Sequence, residues 1–153
     1  MTHEIENAKR EIRREIAGQI DWFMPEGEKH FDPVSVIAAI STILIGAFLK
    51  GFIDEATKVP EEAGRTVFKN LKDLIMNAFK GGEGAVDETE RDAQRGREIA
   101  QSLSSDQRAV LISQTETEFR ESLLQFMPEE RAVMIVSRVR TSVVTHILES
   151  RES

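Results

Sequence analysis

Between Pro33 and Ile53 the chain reads Pro-Val-Ser-Val-Ile-Ala-Ala-Ile-Ser-Thr-Ile-Leu-Ile-Gly-Ala-Phe-Leu-Lys-Gly-Phe-Ile, and its apolar residues fall on every side of a helix. No charge occurs from Val34 to Leu49. As a helix that uncharged run is about 24 Å long, slightly short of the roughly 30 Å hydrocarbon core of a bilayer. Burial inside other helices and burial in lipid select the same amino acids, so the run fits a core helix and a membrane-entering one equally. Asp32 is a good N-cap and Pro33 a good first helical residue, which predicts a sharp start. The exit is polar, through Lys50, Asp54, Glu55 and Lys58, and Val59 precedes a proline, so the predicted helix is 33–57. Ala38, Ala39, Ser41, Gly46, Ala47 and Gly51 are small enough for a neighbouring backbone to come close, and several neighbours are implied.

The other elements are amphipathic or polar. Residues 3–24 carry Ile5, Ala8, Ile12, Ile16, Ile20 and Phe23 at steps of three or four, a helix whose wet face offers the pairs Glu6/Arg10 and Glu11/Arg14. Pro60-Glu61-Glu62 opens a helix to residue 79, with Val67, Phe68, Leu71, Leu74, Ile75, Ala78 and Phe79 as its stripe. Asp87 caps a helix to about Leu103 whose large apolar residues are almost confined to Ile99 and Leu103, so it is expected on the outside of the fold, loosely held. Ser104-Ser105-Asp106 caps a helix over 106–127 with Val110, Leu111, Ile112, Phe119, Leu123, Phe126 and Met127 on its stripe. Pro128-Glu129-Glu130 opens the last helix, where Ala132, Ile135, Val136, Val139, Val143 and Ile147 share one face. The same segment is rich in β-branched residues, and its alternation Val133/Ile135/Ser137/Val139 leaves a strand as the competing reading.

The predicted fold class is therefore all-α, a bundle of five to six helices around the central helix 33–57. The clearest break is Lys80-Gly-Gly-Glu-Gly-Ala85 followed by acidic residues, a Gly/acidic linker over 81–92. It divides an N-terminal helical hairpin region, 1–80, from a C-terminal helical region, 93–153. Basic residues change from mostly Lys to Arg alone across it, yet the second part is short for an independent core, so both are expected to pack as one domain.

Charge and composition narrow the function. A net charge of −7 argues against a general nucleic-acid binder, which needs clustered Lys and Arg. Cysteine is absent, so disulfides, thiolate metal sites and a cysteine nucleophile are excluded. The charged first ten residues do not read as a secretory signal, and an unprocessed, cytoplasmic chain is expected. His3, His30 and His146 are scattered without a ligand cluster, so no metal is expected. Gly81, Gly82 and Gly84 lack the spacing and the Lys-Ser/Thr of a phosphate cradle, and no Gly-x-Ser-x-Gly elbow occurs. No catalytic residue and no cofactor is predicted, and the chain is not expected to be an enzyme.

Asp32-Pro-Val-Ser-Val-Ile-Ala-Ala39, then Gly51-Phe-Ile-Asp-Glu-Ala56 and Phe68-Lys-Asn-Leu-Lys-Asp-Leu-Ile75, resemble the bacterial HeLo-like (Bell) domains of immune and cell-death systems. The resemblance covers residues 32–75, under a third of the chain. A helix precedes the Asp-Pro start, and no Asn/Gly-rich amyloid-signalling repeat follows. The resemblance implies a helical bundle that permeabilises membranes once oligomerised, relocating from the cytoplasm to the inner membrane. Two functional readings stay open. In the first, a membrane-active, pore-forming-like effector of bacterial defence inserts Val36, Ile37, Ile40, Ile43, Leu44, Gly46 and Phe48, with Arg65, Lys69, Lys72 and Lys80 as a cationic face for acidic lipid. In the second, a soluble interaction or oligomerisation module, an adaptor or regulator, keeps that helix as core and meets a protein partner or a second copy through Ile135, Val139, Val143 and Ile147.

Overall fold

The computed structural model describes residues 2–18, 33–57, 70–79 and 86–149. They form an all-α bundle of six helices: α1 Thr2–Ala17, α2 Pro33–Thr57, α3 Leu71–Phe79, α4 Val86–Ser102, α5 Ser105–Leu123 and α6 Glu129–Val143. A single π-helical turn, Val144–Leu148, continues α6. There is no strand among the described residues, so the strand reading of 132–148 is set aside.

The central helix has the predicted bounds, Pro33–Thr57, and packs against all five others. Its six consecutive residues from Leu44 to Leu49 are all buried. At about 100° per residue they sweep more than a full circle, so this part of α2 is covered on every side. Ile40, Leu44, Ile45, Phe48, Leu49 and Phe52 are fully buried, and the Phe119 ring of α5 meets Phe48 at a centroid distance of 6.2 Å. The two ends of α2 emerge, with Val34 exposed and Ile37, Ala39 and Ile43 partly buried at the start, and Asp54, Glu55 and Ala56 partly buried and Thr57 exposed at the finish.

The amphipathic helices close around it as their patterns require. On α1, Ile5, Ala8, Ile12 and Ile16 all face inward. Its wet face pairs differently from the i,i+4 expectation: Glu6 sits between Lys9 and Arg13, while Glu11 turns toward α6. Ser104 and Gln107 form a reciprocal capping box that fixes the start of α5. Val110, expected on the α5 stripe, is exposed, because the helix turns Ile112, Thr115 and Phe119 inward instead. Pro128 stands at the N-cap of α6 with extended ψ, one position earlier than the N1 place that opens a helix at Pro33.

Helix α4 corrects the expectation of a peripheral, loosely held element. It lies along α2 and buries Thr89, Ala93, Gly96, Arg97 and Ala100. The small ones, Thr89, Ala93, Gly96 and Ala100, recur at steps of three and four. A Cβ added to Gly96 would stand 3.2 Å from Leu148 Cδ2 and 3.4 Å from Leu49 Cδ2, and one added to Gly46 would stand 3.2 Å from Thr89 Oγ1. The helix is held by close approach, a route that needs little apolar bulk. The acidic run read as part of a linker is accordingly the first turns of α4; residues 81–85 lie outside the described residues.

Candidate functional site

In α2 the hydroxyl side chains find their partners within the helix, as Thr115 and Thr117 also do in α5. Ser41 Oγ donates to the Ile37 carbonyl at 2.8 Å, Thr42 Oγ1 to Ala38 at 3.1 Å and Thr57 Oγ1 to Ile53 at 2.8 Å. All three bonds are internal to the helix. A hydroxyl satisfied four residues back on its own helix is indifferent to whether protein or hydrocarbon lies outside. From Val36 to Leu49, then, α2 carries no described polar side chain whose hydrogen bond depends on a neighbouring helix. Packing holds this stretch, and among the described polar contacts between helices around it two groups are the most buried.

The first is Lys50, which opens the polar exit of α2. Its ammonium pairs with Asp92 and Glu88, which lie one turn apart on the face of α4 toward α2. Burial disfavours the charged lysine, but the hydrogen bonds to Asp92 and Glu88 outweigh it and raise the Lys50 pKa above its ordinary value. The hydrogen bond from Lys50 and its positive charge hold the Glu88 carboxyl below the usual carboxylate range. This clasp fastens α4 to the C-terminal part of α2.

The second lies where α1 crosses the end of α6. Ser142 Oγ donates to Glu11 Oε1 at 2.8 Å, and His146 Nε2 donates to Glu11 Oε2 at 3.1 Å. Ser142 is fully buried, and its bond, with the one from His146, depresses the Glu11 pKa against the opposing effect of burial. Serine and histidine both address the carboxylate, so the group clamps two helices and has no nucleophile–base relay. The π-turn completes the arrangement: Glu149 N–H closes on the Val144 carbonyl at 2.8 Å, and the Ile147 carbonyl accepts from Arg97 Nε of α4 at 3.1 Å. One turn of chain thus ties α1 and α4 together over the core.

Of the residues expected to enter lipid, Val36, Ile40, Leu44, Gly46 and Phe48 are buried, and Ile37 and Ile43 are partly buried. Of the cationic face, Lys72 is exposed on α3, whereas Arg65, Lys69 and Lys80 lie outside the described residues. The face expected to meet a partner is corrected. Ile135, Val139, Val143 and Ile147 are each at most 1 % exposed, because α1, α4 and α5 pack on that side of α6 and its π-turn. No group of His, Asp and Glu suited to a metal ion occurs among the described residues. Pattern reading passed over both clasps. Their signals were Lys50 as the first charge after the apolar run, and Ser142 and His146, one turn apart beside the apolar stripe Val139, Val143 and Ile147. No protein-family model matches the chain, and no curated protein or solved structure matches it either.

Proposed function

We propose that this protein is a non-enzymatic, membrane-active effector that stores an apolar helix inside a soluble bundle and delivers it to lipid when the bundle opens. The observation that carries this reading is the self-sufficiency of α2: its hydroxyls bond within the helix, and its apolar stretch has a mean hydropathy of 2.2. Moving Val36–Leu49 into hydrocarbon strands no hydrogen bond of its own described side chains. The likeness of residues 32–75 to HeLo-like domains points the same way. Delivery requires the two clasps to let go, and both depend on carboxylates, so acid opens them. Action at an inner membrane from the cytoplasm follows from this reading.

Dye release from vesicles containing anionic lipid, measured with the full chain at neutral and acid pH, tests it. Acid-promoted release is expected, and Ile43→Asp, a charge at a partly buried position of α2, should suppress it while circular dichroism stays unchanged. If the folded wild-type chain leaves vesicles of every composition sealed at both pH values, α2 is a permanent core helix. The protein is then an interaction module, and any surface it uses lies away from the buried Ile135/Val139 face.

A further inference from the structure

A groove of about 420 Å³ runs between α1 and α6, lined by Glu11, Arg14, Glu15, Arg131, Met134 and Arg138 with Gly18 at its end. In a chain of net charge −7, three guanidinium groups here outnumber two carboxylates, and both carboxylates already have partners. Glu11 is held by Ser142 and His146, and Glu15 faces Arg138. Two of the arginines are less committed. Arg14 is exposed and makes no hydrogen bond or ion pair among the described residues. Arg138 meets Glu15 at 3.8 Å, beyond hydrogen-bond reach, and its side chain is 44 % exposed. Arg131, half-buried in the first turn of α6, donates its backbone N–H to the Pro128 carbonyl at 3.1 Å and adds a third positive charge to the lining.

From this geometry we infer a binding site for a phosphate monoester, with Arg14 on one wall and Arg138 on the other presenting planar forks to the phosphate oxygens. Guanidinium suits this ligand because two parallel N–H donors match two phosphate oxygens. The exposed Met134 offers an apolar contact to whatever the phosphate is attached to. The volume lies within the range of small-molecule sites. The shared chemistry is a phosphate group, carried either by a soluble phosphoester or by a lipid headgroup. The inference does not depend on membrane insertion by α2, since binding is read whether or not vesicles leak.

The full-length protein is titrated at low salt with inorganic phosphate and with pyrophosphate by calorimetry, and in parallel is sedimented with phosphatidylcholine vesicles with and without phosphatidic acid. Binding of either kind should weaken by about tenfold in Arg14→Gln and in Arg138→Gln, and should be unchanged in Arg120→Gln, whose side chain is exposed on α5. Arg138→Lys, which keeps the charge and loses the fork, should recover only part of the affinity. Binding of the soluble anions identifies a phosphoester site, and binding confined to phosphatidic acid vesicles identifies a headgroup site. The inference is overturned if the folded wild-type protein binds none of these probes, or if the two groove variants bind as tightly as the wild type.

Discussion

Replacing Lys50 by Met removes the cation from the α2–α4 clasp while keeping most of the side-chain volume. It leaves Asp92, whose side chain is 19 % exposed, and Glu88, at 49 %, without their partner. A hydrogen bond to a charged group contributes about 1.5–3 kcal/mol where water is largely excluded. The Asp92 contact falls in that class. The half-exposed Glu88 contact belongs with surface pairs, worth less than about 1 kcal/mol. Lys50→Met should therefore lower stability by about 2–3 kcal/mol at neutral pH, and Tm by about 4–12 °C for a chain of this size. Urea unfolding followed by circular dichroism, repeated from neutral pH into acid, is the assay. Because the folded-state pKa of Glu88 is depressed, its contribution is present above the ordinary carboxylate range and is lost as pH falls through the lowered value. The gap between wild type and variant should narrow in acid by the Glu88 share. A difference below about 0.5 kcal/mol at neutral pH, or a gap that acid leaves unchanged, would refute the clasp.

Three further outcomes follow from the same packing. Gly96→Val places two methyl groups where even a Cβ stands 3.2 Å from Leu148, and chemical denaturation should show a loss of about 1–3 kcal/mol. Glu11→Ala leaves the fully buried Ser142 hydroxyl without its acceptor and should cost about 1–3 kcal/mol at neutral pH. That cost should shrink in acid, since the lowered Glu11 pKa makes the wild-type contribution one that disappears as pH falls through it. Val110→Ser, at a side chain 56 % exposed, should stay within about 0.5 kcal/mol of wild type in the same assay.

The parts of the fold that follow from periodicity were legible in the sequence. The stripe Ile5, Ala8, Ile12 and Ile16 is buried as its spacing requires, and α2 starts at Pro33 and ends at Thr57 as the proline and the polar exit require. Periodicity shows that a face is covered but not what covers it. The apolar face of α6 is a face, as its spacing requires, but α1, α2 and α5 of the same chain cover it. Helix α4 was misjudged for a different reason. Counting apolar bulk undervalues Ala93, Gly96 and Ala100, whose contribution is the absence of bulk. The clasps were beyond pattern reading: Glu11 and Ser142 are 131 residues apart in sequence, and Lys50 and Asp92 are 42 apart. Nothing in Val144-Thr-His-Ile-Leu148 marks a π-turn, which follows from the bonds its carbonyls make to α4 and to Glu149.

The absence of cysteine makes a labelling experiment direct, since one introduced thiol is unique. With Ile43→Cys carrying an environment-sensitive fluorophore, quenching by spin labels placed near the bilayer centre reports whether α2 reaches hydrocarbon. The account predicts no quenching with vesicles at neutral pH, strong quenching in acid, and an onset at higher pH when Lys50→Met has loosened the α4 clasp. A label that stays unquenched in acid, in both backgrounds and with vesicles to which the protein is bound, would contradict the claim that α2 is a stored membrane helix.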